Sequence, residues 1–481
     1  MMDLATAAQA VHGRVDGANV RFTRVTTDSR AVEPGDLFVA LAGERFDGHD
    51  FVAGAFGCGA AAALVADGRG AFPGPVVAVP DPLAALGHLA AAWRARFVLP
   101  LAVVVGSNGK TTVKEMTASI LRAAWGEGAT LSTAGNLNNA IGLPLTLLRL
   151  REGHRAAVIE LGMNHRGETR ELAAIARPTI VVVNNAQREH QEFMASVAEV
   201  AAEHADAVAA LPAGGVAVLN ADDASCGVWR EAAVRAGAQV RTFGLRAAAD
   251  VTARTTLAAD GTDLAISTWA GDTAVRLAVP GEPMARNALA AAAAALAAGA
   301  PLDAVARGLA AFRPVAGRLV AKRAASGALV IDDSYNANPD SVRAAIEVLA
   351  CAPGVRRLVL GDMGEVGAEG PAFHREVGAY ARERGIDRLD AVGTLARHAV
   401  EAFGAGARWH ADVDALVAAV APEANEGAAI LVKGSRFMRM ERVVGALAGA
   451  GTSPEQAAPA SPQGARRPRG GPSDASSAGS H

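Results

Sequence analysis

A glycine-bounded segment that ends in a lysine and two threonines directly follows an apolar run. The segment reads G-S-N-G-K-T-T over Gly106–Thr112. Its glycines allow the backbone to wrap amide groups around an anion, the Lys110 ammonium can reach the β- and γ-phosphates, and the Thr111 hydroxyl can bind Mg²⁺. Helical spacing over Val113–Ala124 places a helix N-terminus, with its partial positive charge, at the same point. The segment therefore predicts a phosphate-binding loop.

This loop is shorter than the general phosphate-binding motif. That motif has a glycine five residues before Gly109, where this chain has Val104. The shortening indicates a subclass of nucleotide-binding enzymes, and a glycine-rich turn with a surface lysine is the alternative reading. The nucleotide contacts that the pattern predicts are Gly106, Ser107, Asn108, Gly109, Lys110, Thr111 and Thr112.

The composition excludes several classes of protein. The chain has 481 residues, a net charge of −3 and 4% aromatic residues, so we expect no nucleic-acid partner. Cys58, Cys226 and Cys351 are odd in number and far apart, which favours a reducing compartment without disulfides or a thiolate metal site. No basic segment followed by an apolar core stands at the N-terminus, and the run Ala288–Ala298 is too short to span a bilayer. We therefore expect a cytoplasmic protein without membrane insertion.

Short β-branched runs alternate with amphipathic ones, which is the pattern of parallel sheets covered by helices. We expect an α/β fold with a small N-terminal domain over 1–98, a nucleotide-binding domain over 99–313 and a Rossmann-like domain over 314–450. The segment 451–481 lacks large apolar residues and is expected to be disordered. The predicted strands are Leu37–Ala40, Ala62–Val65, Val76–Val79, Val103–Val105, Ala156–Glu160, Thr179–Asn184, Val216–Asn220, Leu329–Asp332, Leu358–Gly361, Leu389–Gly393 and Ile430–Lys433.

Two side chains near the ends of predicted strands could act on a bound triphosphate. Glu160 ends one strand, and a carboxylate at that place either holds Mg²⁺ or merely faces solvent. His190 follows the next strand and is either a group close to the metal or a structural histidine. Because the carboxyl ends of parallel strands form the ligand crevice of such sheets, both are candidate site residues.

Asparagine-rich loops supply further candidates. Asn136, Asn138 and Asn139 lie in one short loop, where their amides could bind substrate oxygens or only satisfy turns. A second polar cluster, D-D-S-Y-N-A-N-P over Asp332–Pro339, follows a predicted strand, and turn chemistry alone does not explain it. Arg318 could meet a phosphate or a surface carboxylate.

Taken together, these segments resemble the Mur ligase family, the ATP-dependent amide-bond ligases of bacterial cell-wall synthesis. The loop G-S-N-G-K-T-T is that family's form of the phosphate loop, and the resemblance covers about residues 1 to 450. The other matching motifs are K-E-M-T at Lys114–Thr117, G-N-L-N-N-A-I-G-L-P-L-T-L-L at Gly135–Leu148, D-D-S-Y-N-A-N-P-D-S at Asp332–Ser341, L-G-D-M-G-E at Leu360–Glu365, D-S-R at Asp28–Arg30 and G-E-R-F-D-G-H-D-F at Gly43–Phe51.

The resemblance implies the branch of the family that adds D-alanyl-D-alanine to UDP-N-acetylmuramoyl-tripeptide. ATP would phosphorylate the free carboxylate of the tripeptide, and the dipeptide amine would attack the acyl phosphate to give the amide, ADP and phosphate. Lys110 would neutralise the transferring phosphoryl group. Thr111 and Glu160 would hold one Mg²⁺, and His190 would lie near a second. The residues implied to hold ATP from the far side of the site are Asn287, Arg318, Asp333 and Asn336.

The same resemblance implies that the N-terminal domain binds the UDP-sugar. Its partners would be small molecules alone, and we expect a monomer. The third residue of the peptide is left open between diaminopimelate and lysine. The substrate contacts that the resemblance implies are Ser29, Arg30, Asp47, His49, Asn136, Asn138 and Asn139.

Two positions depart from the family pattern. Many members carry a carbamylated lysine after the histidine loop, where it helps to bind the second metal, and this chain has His204 at the matching position. The second metal would then be held differently, through waters or a neighbouring acid. The family also has His-Asn shortly before the matched Asn287, where this chain has Pro283 and Met284.

Other functions compete with this reading. Another amino-acid-adding Mur ligase or a folylpolyglutamate synthase would share the nucleotide-binding core. The folate enzymes lack an N-terminal UDP-sugar domain, whereas about 98 residues precede the loop here. A nucleotide switch and a non-catalytic binding protein are the alternatives outside the ligases, and the presence of Lys110, Thr111 and Glu160 argues against the second.

Overall fold

The computed structural model describes residues 1–43, 46–189, 191–258 and 261–448. His190 and the segment 451–481, for which the sequence predicts a role next to the metal and disorder, lie outside the described residues. The described part of the chain forms three successive α/β units, which confirms the predicted fold class. Within these ranges no helix has the length and apolarity that crossing a membrane requires.

The N-terminal unit is a five-stranded sheet with a small antiparallel pair beside it. The sheet has the order β2-β7-β6-β5-β4, in which β2 pairs antiparallel to β7 and the other strands are parallel. The antiparallel pair is β1 with β3. The elements are β1 (Met2–Asp3), α1 (Leu4–Val11), β2 (Arg14–Asp16), β3 (Arg21–Phe22), β4 (Arg24–Thr26), β5 (Asp36–Val39), α2 (Val52–Gly57), β6 (Ala62–Ala66), β7 (Val76–Val79) and α3 (Pro82–Arg94).

The middle unit is built on a six-stranded parallel sheet of order β13-β12-β11-β8-β10-β9. The chain order reverses at β8, and in open α/β sheets the ligand crevice lies at the carboxyl end of such a strand. The phosphate loop follows β8 directly. The elements are β8 (Leu101–Val105), α4 (Lys110–Trp125), β9 (Thr130–Ser132), α5 (Gly142–Leu147), β10 (Ala156–Glu160), α6 (Glu168–Ala176), β11 (Ile180–Val183), α7 (Val197–Ala209), β12 (Val216–Asn220), α8 (Cys226–Arg235) and β13 (Gln239–Phe243).

A three-stranded antiparallel sheet and two helices complete the middle unit. The sheet has the order β14-β15-β16, and the sequence analysis did not predict it. The alanine-rich run near residue 290 is a core helix, because every residue of 288–295 is buried there. The elements are β14 (Thr252–Ala258), β15 (Gly261–Thr268), β16 (Gly271–Leu277), α9 (Glu282–Ala297) and α10 (Leu302–Ala311).

The C-terminal unit is a second six-stranded sheet, of order β17-β18-β22-β19-β20-β21, in which β17 is antiparallel to β18 and the rest are parallel. The carboxyl ends of β18 and β22 carry the polar cluster and Lys433. The elements are β17 (Val320–Arg323), β18 (Leu329–Asp333), α11 (Pro339–Ala350), β19 (Val355–Gly361), α12 (Gly370–Glu383), β20 (Arg388–Val392), α13 (Arg397–Phe403), β21 (Ala407–His410), α14 (Val413–Val420), β22 (Ala428–Lys433) and α15 (Glu441–Ala448).

The two faces of the middle sheet pack on different neighbours. Alternate residues of a strand point to opposite faces, so Val103 joins the core shared with α3 of the N-terminal unit, and Val104 joins the core that contains α4 and α9. The second of these cores continues into the C-terminal sheet, where Leu358 and Leu360 belong to it. Apolar packing therefore holds the C-terminal unit against the half of the middle unit that carries the phosphate loop.

Candidate active site

The phosphate loop is held in place by asparagine amides. Gly109 has a φ of 83° and stands directly before Lys110, the first residue of α4. A Cβ atom at Gly109 would lie 2.6 Å from Asn287 Oδ1 and 2.7 Å from Asn184 Nδ2, so a larger residue does not fit. Asn184 Nδ2 in turn donates to the Asn108 carbonyl oxygen at 2.7 Å and to Asn287 Oδ1 at 2.9 Å. The loop is thus fixed from the end of β11 and from α9.

The Lys110 ammonium lies inside this loop. Its Nζ donates to the carbonyl oxygens of Gly106 at 2.5 Å and Ser107 at 3.3 Å, and lies 3.4 Å from Glu189 Oε2. The Lys110 side chain is 16% exposed and that of Glu189 is 6% exposed, so a buried carboxylate supplies the counter-charge. Glu189 was missed by the sequence analysis. An acid directly before His190, in the loop that follows β11, was the available signal.

Glu160 ends β10 with its carboxylate buried. It is 2% exposed, its Oε1 accepts a hydrogen bond from Asn138 Nδ2 at 2.8 Å, and its backbone N–H donates to Thr133 Oγ1 at 3.0 Å. Its Oε2 is buried and has no hydrogen-bond partner among the residues that the structure describes. A buried carboxylate oxygen without a donor is costly unless a cation meets it, so this atom fits a hard metal ligand.

The three asparagines after β9 have different surroundings. Asn138 orients Glu160, as described above, and its carbonyl oxygen accepts from the Gly162 N–H at 2.8 Å. Asn139 Oδ1 accepts from the backbone N–H groups of Ile141 at 3.2 Å and Gly142 at 2.9 Å, which is the role of a turn residue. All three nevertheless line the cleft described below.

The C-terminal unit contributes a second buried ion pair. Asp333 Oδ2 accepts a hydrogen bond from Lys433 Nζ at 2.5 Å, and Asp333 Oδ1 accepts from the Leu319 N–H at 3.2 Å. Burial raises the pKa of Asp333, and the Lys433 ammonium opposes that rise. Lys433 also donates to the Asn336 carbonyl oxygen at 2.9 Å, and the Arg318 guanidinium lies 4.2 Å from the centre of the Tyr335 ring. Sequence analysis placed Lys433 at a strand end but assigned it no role.

These elements enclose a cavity of about 640 Å³ between the middle and C-terminal units. Two of its lining residues, Leu319 (φ 55°) and Glu365 (φ 57°), have a left-handed backbone that is strained for residues with a side chain and is common at functional sites. Gly106 stands at the start of the loop beneath the cavity. The other predicted residues of this region line it: Ser107, Asn108, Gly109, Lys110, Thr111, Thr112, Asn136, Asn138, Asn139, Glu160, Asn287, Arg318, Asp333 and Asn336.

The four predicted contacts of the N-terminal unit lie in two short 3₁₀ helices and their caps. Arg30 is exposed and donates to Asp28, and that hydrogen bond lowers the pKa of Asp28 to about 2. His49 is used within the unit, because its Nε2 accepts from the Ala66 N–H at 2.8 Å and its Nδ1 donates to Asp47 Oδ1 at 2.5 Å. Ser29 begins the first of the two helices.

His204 lies on α7 and is 2% exposed. Its Nε2 is 3.7 Å from Glu189 Oε1, and the other oxygen of that carboxylate faces Lys110. A carboxylate therefore lies next to the position at which the family resemblance implies a carbamylated lysine. It comes from the loop after β11 and not from the helix.

Three family models match successive parts of the chain. They are the Mur ligase family catalytic domain over residues 21–94, the Mur ligase middle domain over 104–295 and the Mur ligase glutamate ligase domain over 317–436. Each model lies within one of the three α/β units, and the boundaries 98, 313 and 450 stay predictions.

Curated relatives match nearly the whole chain. The UDP-N-acetylmuramoyl-tripeptide–D-alanyl-D-alanine ligase of Escherichia coli is 43% identical over 453 residues, which are 93% of this chain and 99% of the relative. The ligase of the same name from Bacillus subtilis is 34% identical over 87% of this chain and 92% of its own length.

Solved structures agree with the sequence relatives. A crystal structure of MurF from Acinetobacter baumannii superimposes with a TM-score of 0.84 at 34% identity, covering 92% of this chain and 98% of its own. The MurF ligase of Thermotoga maritima in complex with ADP gives a TM-score of 0.78 at 26% identity, covering 88% and 96%. By its family models, its relatives and its fold, the chain belongs to the Mur ligase family.

Proposed function

We propose that this protein is the ligase that joins D-alanyl-D-alanine to UDP-N-acetylmuramoyl-tripeptide at the expense of ATP in peptidoglycan synthesis. The observation that carries the proposal is the cleft in which the phosphate loop and Glu160 of the middle unit face Asp333 and Lys433 of the C-terminal unit. The identity of 43% over 93% of the chain to the Escherichia coli ligase of that name supports the choice of substrates.

The reaction has two steps and forms no covalent intermediate with the enzyme. A carboxylate oxygen of the tripeptide attacks the γ-phosphorus of ATP, and the bond from that phosphorus to the β-phosphate oxygen breaks. The products of this step are an acyl phosphate and ADP. The dipeptide ammonium loses a proton to solvent, and the free amine attacks the acyl carbon. The tetrahedral intermediate loses a second proton from its nitrogen to solvent and expels inorganic phosphate to give the amide. Such chemistry depends on positioning and on neutralising charge.

The chain's own residues supply these two requirements. The loop amides and Lys110 would bind the β- and γ-phosphates. The Lys110 ammonium would leave the loop carbonyls for the transferring phosphoryl group and neutralise its negative charge. Asn287 lies beside Gly109 on the loop side, and not on the far side that the resemblance implied, and it would contact the nucleotide from there. On the opposite wall, Arg318 and Asp333 would hold the nucleotide, with Asn336 beside them. Because these groups come from two units, the nucleotide would bind only where both walls are in place.

Mg²⁺ is part of the proposal, and the residues fit it. The buried Glu160 Oε2 and the Thr111 hydroxyl are oxygen ligands of the kind that Mg²⁺ prefers, and both residues line the cleft. Glu160 and Thr111 would hold the ion, and its positive charge would lower the cost of negative charge on the phosphate groups. His190 remains a proposed group near a second metal. His204 cannot be carbamylated, so we expect activity that does not depend on bicarbonate.

The remaining assignments concern substrate binding, oligomeric state and location in the cell. Ser29 and Arg30 would contact the UDP-sugar, with Asp47 and His49 in the neighbouring turn, and Asn136, Asn138 and Asn139 would meet the substrate in the cleft. We also propose a monomer that acts in the cytoplasm on small-molecule substrates.

The choice of acceptor tests this proposal. Purified protein is given ATP, Mg²⁺ and UDP-N-acetylmuramoyl-tripeptide, and ADP release is followed with D-alanyl-D-alanine, D-alanine, L-lysine or L-glutamate as the amine. We expect fast release with the dipeptide alone, together with a product whose mass is that of the pentapeptide. Equal release with a single amino acid would favour another amino-acid-adding ligase, and release with no amine would favour a nucleotide switch.

A further inference from the structure

A three-residue segment lies between the phosphate loop and the C-terminal unit. It consists of Gln187, Arg188 and Glu189, one residue beyond the two asparagines that follow β11. None of the three was singled out by the sequence analysis, and the reaction described above assigns them no step. Each of them nevertheless contacts either the loop that would bind the triphosphate or the wall on its other side.

On one side, Gln187 and Glu189 hold the phosphate loop. The Gln187 N–H donates to Ser107 Oγ at 2.8 Å, and Gln187 Oε1 accepts from Asn108 Nδ2 at 2.6 Å. The Ser107 hydroxyl returns a hydrogen bond to the Gln187 carbonyl oxygen at 3.2 Å. Glu189 faces the Lys110 ammonium at 3.4 Å. The positions of three loop residues therefore depend on where this segment lies.

On the other side, Arg188 binds two carboxylates of the C-terminal unit. Its guanidinium donates to Asp340 Oδ1 at 2.6 Å from Nη2, and to Glu376 at 2.6 Å from Nη1 and 3.0 Å from Nη2. The Arg188 backbone N–H adds a bond to Asp340 Oδ2 at 2.8 Å. The side chain is 23% exposed and lies against the Phe373 ring, with 5.3 Å between the guanidinium carbon and the ring centre.

This arrangement differs from an ordinary surface ion pair. Exposed pairs contribute little because solvent screens them and two flexible side chains must be ordered. Arg188 instead makes several charge-assisted bonds to two helices, which fix both its position and that of the backbone from which it projects. The bonds to Arg188 also keep the pKa of Glu376 below its usual range. Asp340 lies in the first turn of α11, where a negative charge is favoured.

A second contact links the same helix to the loop. Asn338, the N-cap residue of α11, donates from Nδ2 to Asn108 Oδ1 at 3.0 Å. Asn108 thus lies between Gln187 of the middle unit and Asn338 of the C-terminal unit. The start of α11 contacts the phosphate loop directly through Asn338 and indirectly through Arg188.

We propose that Arg188 is a positioning residue. Through it, the geometry of the phosphate loop depends on the C-terminal unit being packed against the middle unit. Through Asp340 and Glu376, the seated unit holds the segment 187–189, which in turn holds Ser107, Asn108 and Lys110. The phosphate loop would be ordered for nucleotide binding only when the C-terminal unit, which forms the second wall of the cleft, is packed against the middle unit. The inference rests on the proposed function, since it explains how that site is assembled.

The chain offers a matched control for this proposal. Arg343 also donates to Glu376, at 3.2 Å, but it lies on α11 and makes its ion pair within the C-terminal unit. Arg188→Gln and Arg343→Gln each remove a guanidinium from the same carboxylate, and only the first removes the link to the phosphate loop. Arg188→Lys keeps the charge but not the planar fork that reaches two carboxylates.

The test is the affinity for a non-hydrolysable ATP analogue with Mg²⁺, measured by calorimetry without tripeptide or dipeptide. We expect Arg188→Gln to weaken binding by about tenfold or more, Arg188→Lys by less, and Arg343→Gln by less than about twofold. Small-angle scattering with the analogue should show a larger radius of gyration for Arg188→Gln than for the other proteins. Melting temperatures should stay close to that of the wild type.

Equal affinities of the two glutamine variants would overturn the proposal, as would weakened binding without any change in scattering. If Arg188→Gln fails to fold, Arg188→Lys and Asp340→Asn replace it. Their effects on analogue affinity should then be less than additive in the double variant, because both act on one link. Additive effects would count against the link. Because this assay needs no acceptor, failure to use D-alanyl-D-alanine would overturn the proposed function separately.

Discussion

The nucleotide cleft and the Asp28–Arg30 turn of the N-terminal unit differ in how deeply their charged groups are buried. In the cleft, Lys110 and Lys433 are each largely buried against a carboxylate from another element, Glu189 and Asp333 respectively. In the N-terminal unit, the exposed Arg30 pairs with a carboxylate two residues away, as a local turn does. Burial strengthens electrostatic interactions because little water screens them. The cleft is therefore suited to neutralising charge that moves during a reaction, whereas the Arg30 guanidinium is accessible to solvent and to the substrate that we propose for the N-terminal unit.

This difference predicts which quantity, kcat, KM or stability, each substitution should change most. Changes to buried cleft charges should lower turnover, since their effect is greatest when the phosphoryl group is transferred. Changes to exposed groups of the N-terminal unit should raise the KM of the UDP-sugar substrate with less effect on kcat. Residues whose polar atoms are satisfied inside a unit should affect stability first.

Lys110→Ala should have the largest effect. The ammonium faces the loop and the buried Glu189 carboxylate, so its loss removes charge neutralisation in the transition state and also removes a counter-charge from that carboxylate. We expect kcat to fall on the order of 10²-fold or more in a variant that still folds, with a lower melting temperature. Steady-state ADP release and thermal unfolding measure the two quantities. Near-normal turnover in the folded variant would contradict the assignment of this loop.

Alanine substitutions of the candidate metal ligands should lower activity in an order that follows the affinity of each side chain for Mg²⁺. Glu160→Ala should do the most damage because a carboxylate supplies both charge and oxygen to Mg²⁺. His190→Ala should follow, and His204→Ala should weaken Mg²⁺ dependence modestly, since imidazole is a poor ligand for this cation. Turnover against Mg²⁺ concentration tests the order. A His204 variant as inactive as the Glu160 variant would refute it.

Two variants within the N-terminal unit should separate binding from folding. Arg30→Ala removes an exposed guanidinium, so we expect a higher KM for the UDP-sugar substrate, about tenfold, and an unchanged melting temperature. His49→Ala removes two partly buried hydrogen bonds and should cost about 1–3 kcal/mol of stability. Urea unfolding and substrate titration of both variants would show this. A large KM effect of His49→Ala without loss of stability would place its ring at the substrate.

A smaller effect should appear in the pH dependence of stability. His374 is buried and holds the loop after β19, because its Nε2 accepts from the Met363 N–H at 3.0 Å and its Nδ1 donates to the Gly370 carbonyl oxygen at 2.7 Å. Burial lowers its pKa in the folded state, so the unfolded chain binds the proton first as the pH falls. The free energy of unfolding should therefore decrease from about pH 6.5 downwards until the lowered pKa is passed. His374→Gln should flatten this decrease, and an equal slope in the variant would assign it to another group.

Local motifs made much of the cleft predictable. The strand, loop and helix around Gly106, Gly109 and Lys110 form one local unit, so the spacing of these residues was enough to predict its conformation, and β10 occurs over the residues predicted. The phosphate contacts of the loop stay predictions. The parallel sheets also follow from the alternation of strands and helices, whereas the strand order was not predicted. Glu160 and Asp333 could be singled out because each stands at a strand end.

The missed residues depend on contacts across the fold. Lys433 and Glu189 lie opposite side chains that are far away in sequence. No local pattern distinguishes Lys433 from a surface charge, and only its place directly before His190 pointed to Glu189. Arg188 is informative only once Asp340 and Glu376 are known to lie beside it. For His49 the motif was present, but only the structure shows that both ring nitrogens are bonded within the N-terminal unit. The antiparallel sheet of β14–β16 was missed because its apolar alternation is weak on the exposed face.

The central claim is that this cleft transfers the γ-phosphoryl group to a carboxylate before the amide forms. Tripeptide whose terminal carboxylate carries ¹⁸O in both oxygens tests it directly, with ATP, Mg²⁺ and D-alanyl-D-alanine as the other substrates. If an acyl phosphate forms, one ¹⁸O atom per turnover appears in inorganic phosphate and the other remains in the new amide, as mass spectrometry would show. Phosphate without ¹⁸O, released together with product, would contradict the claim.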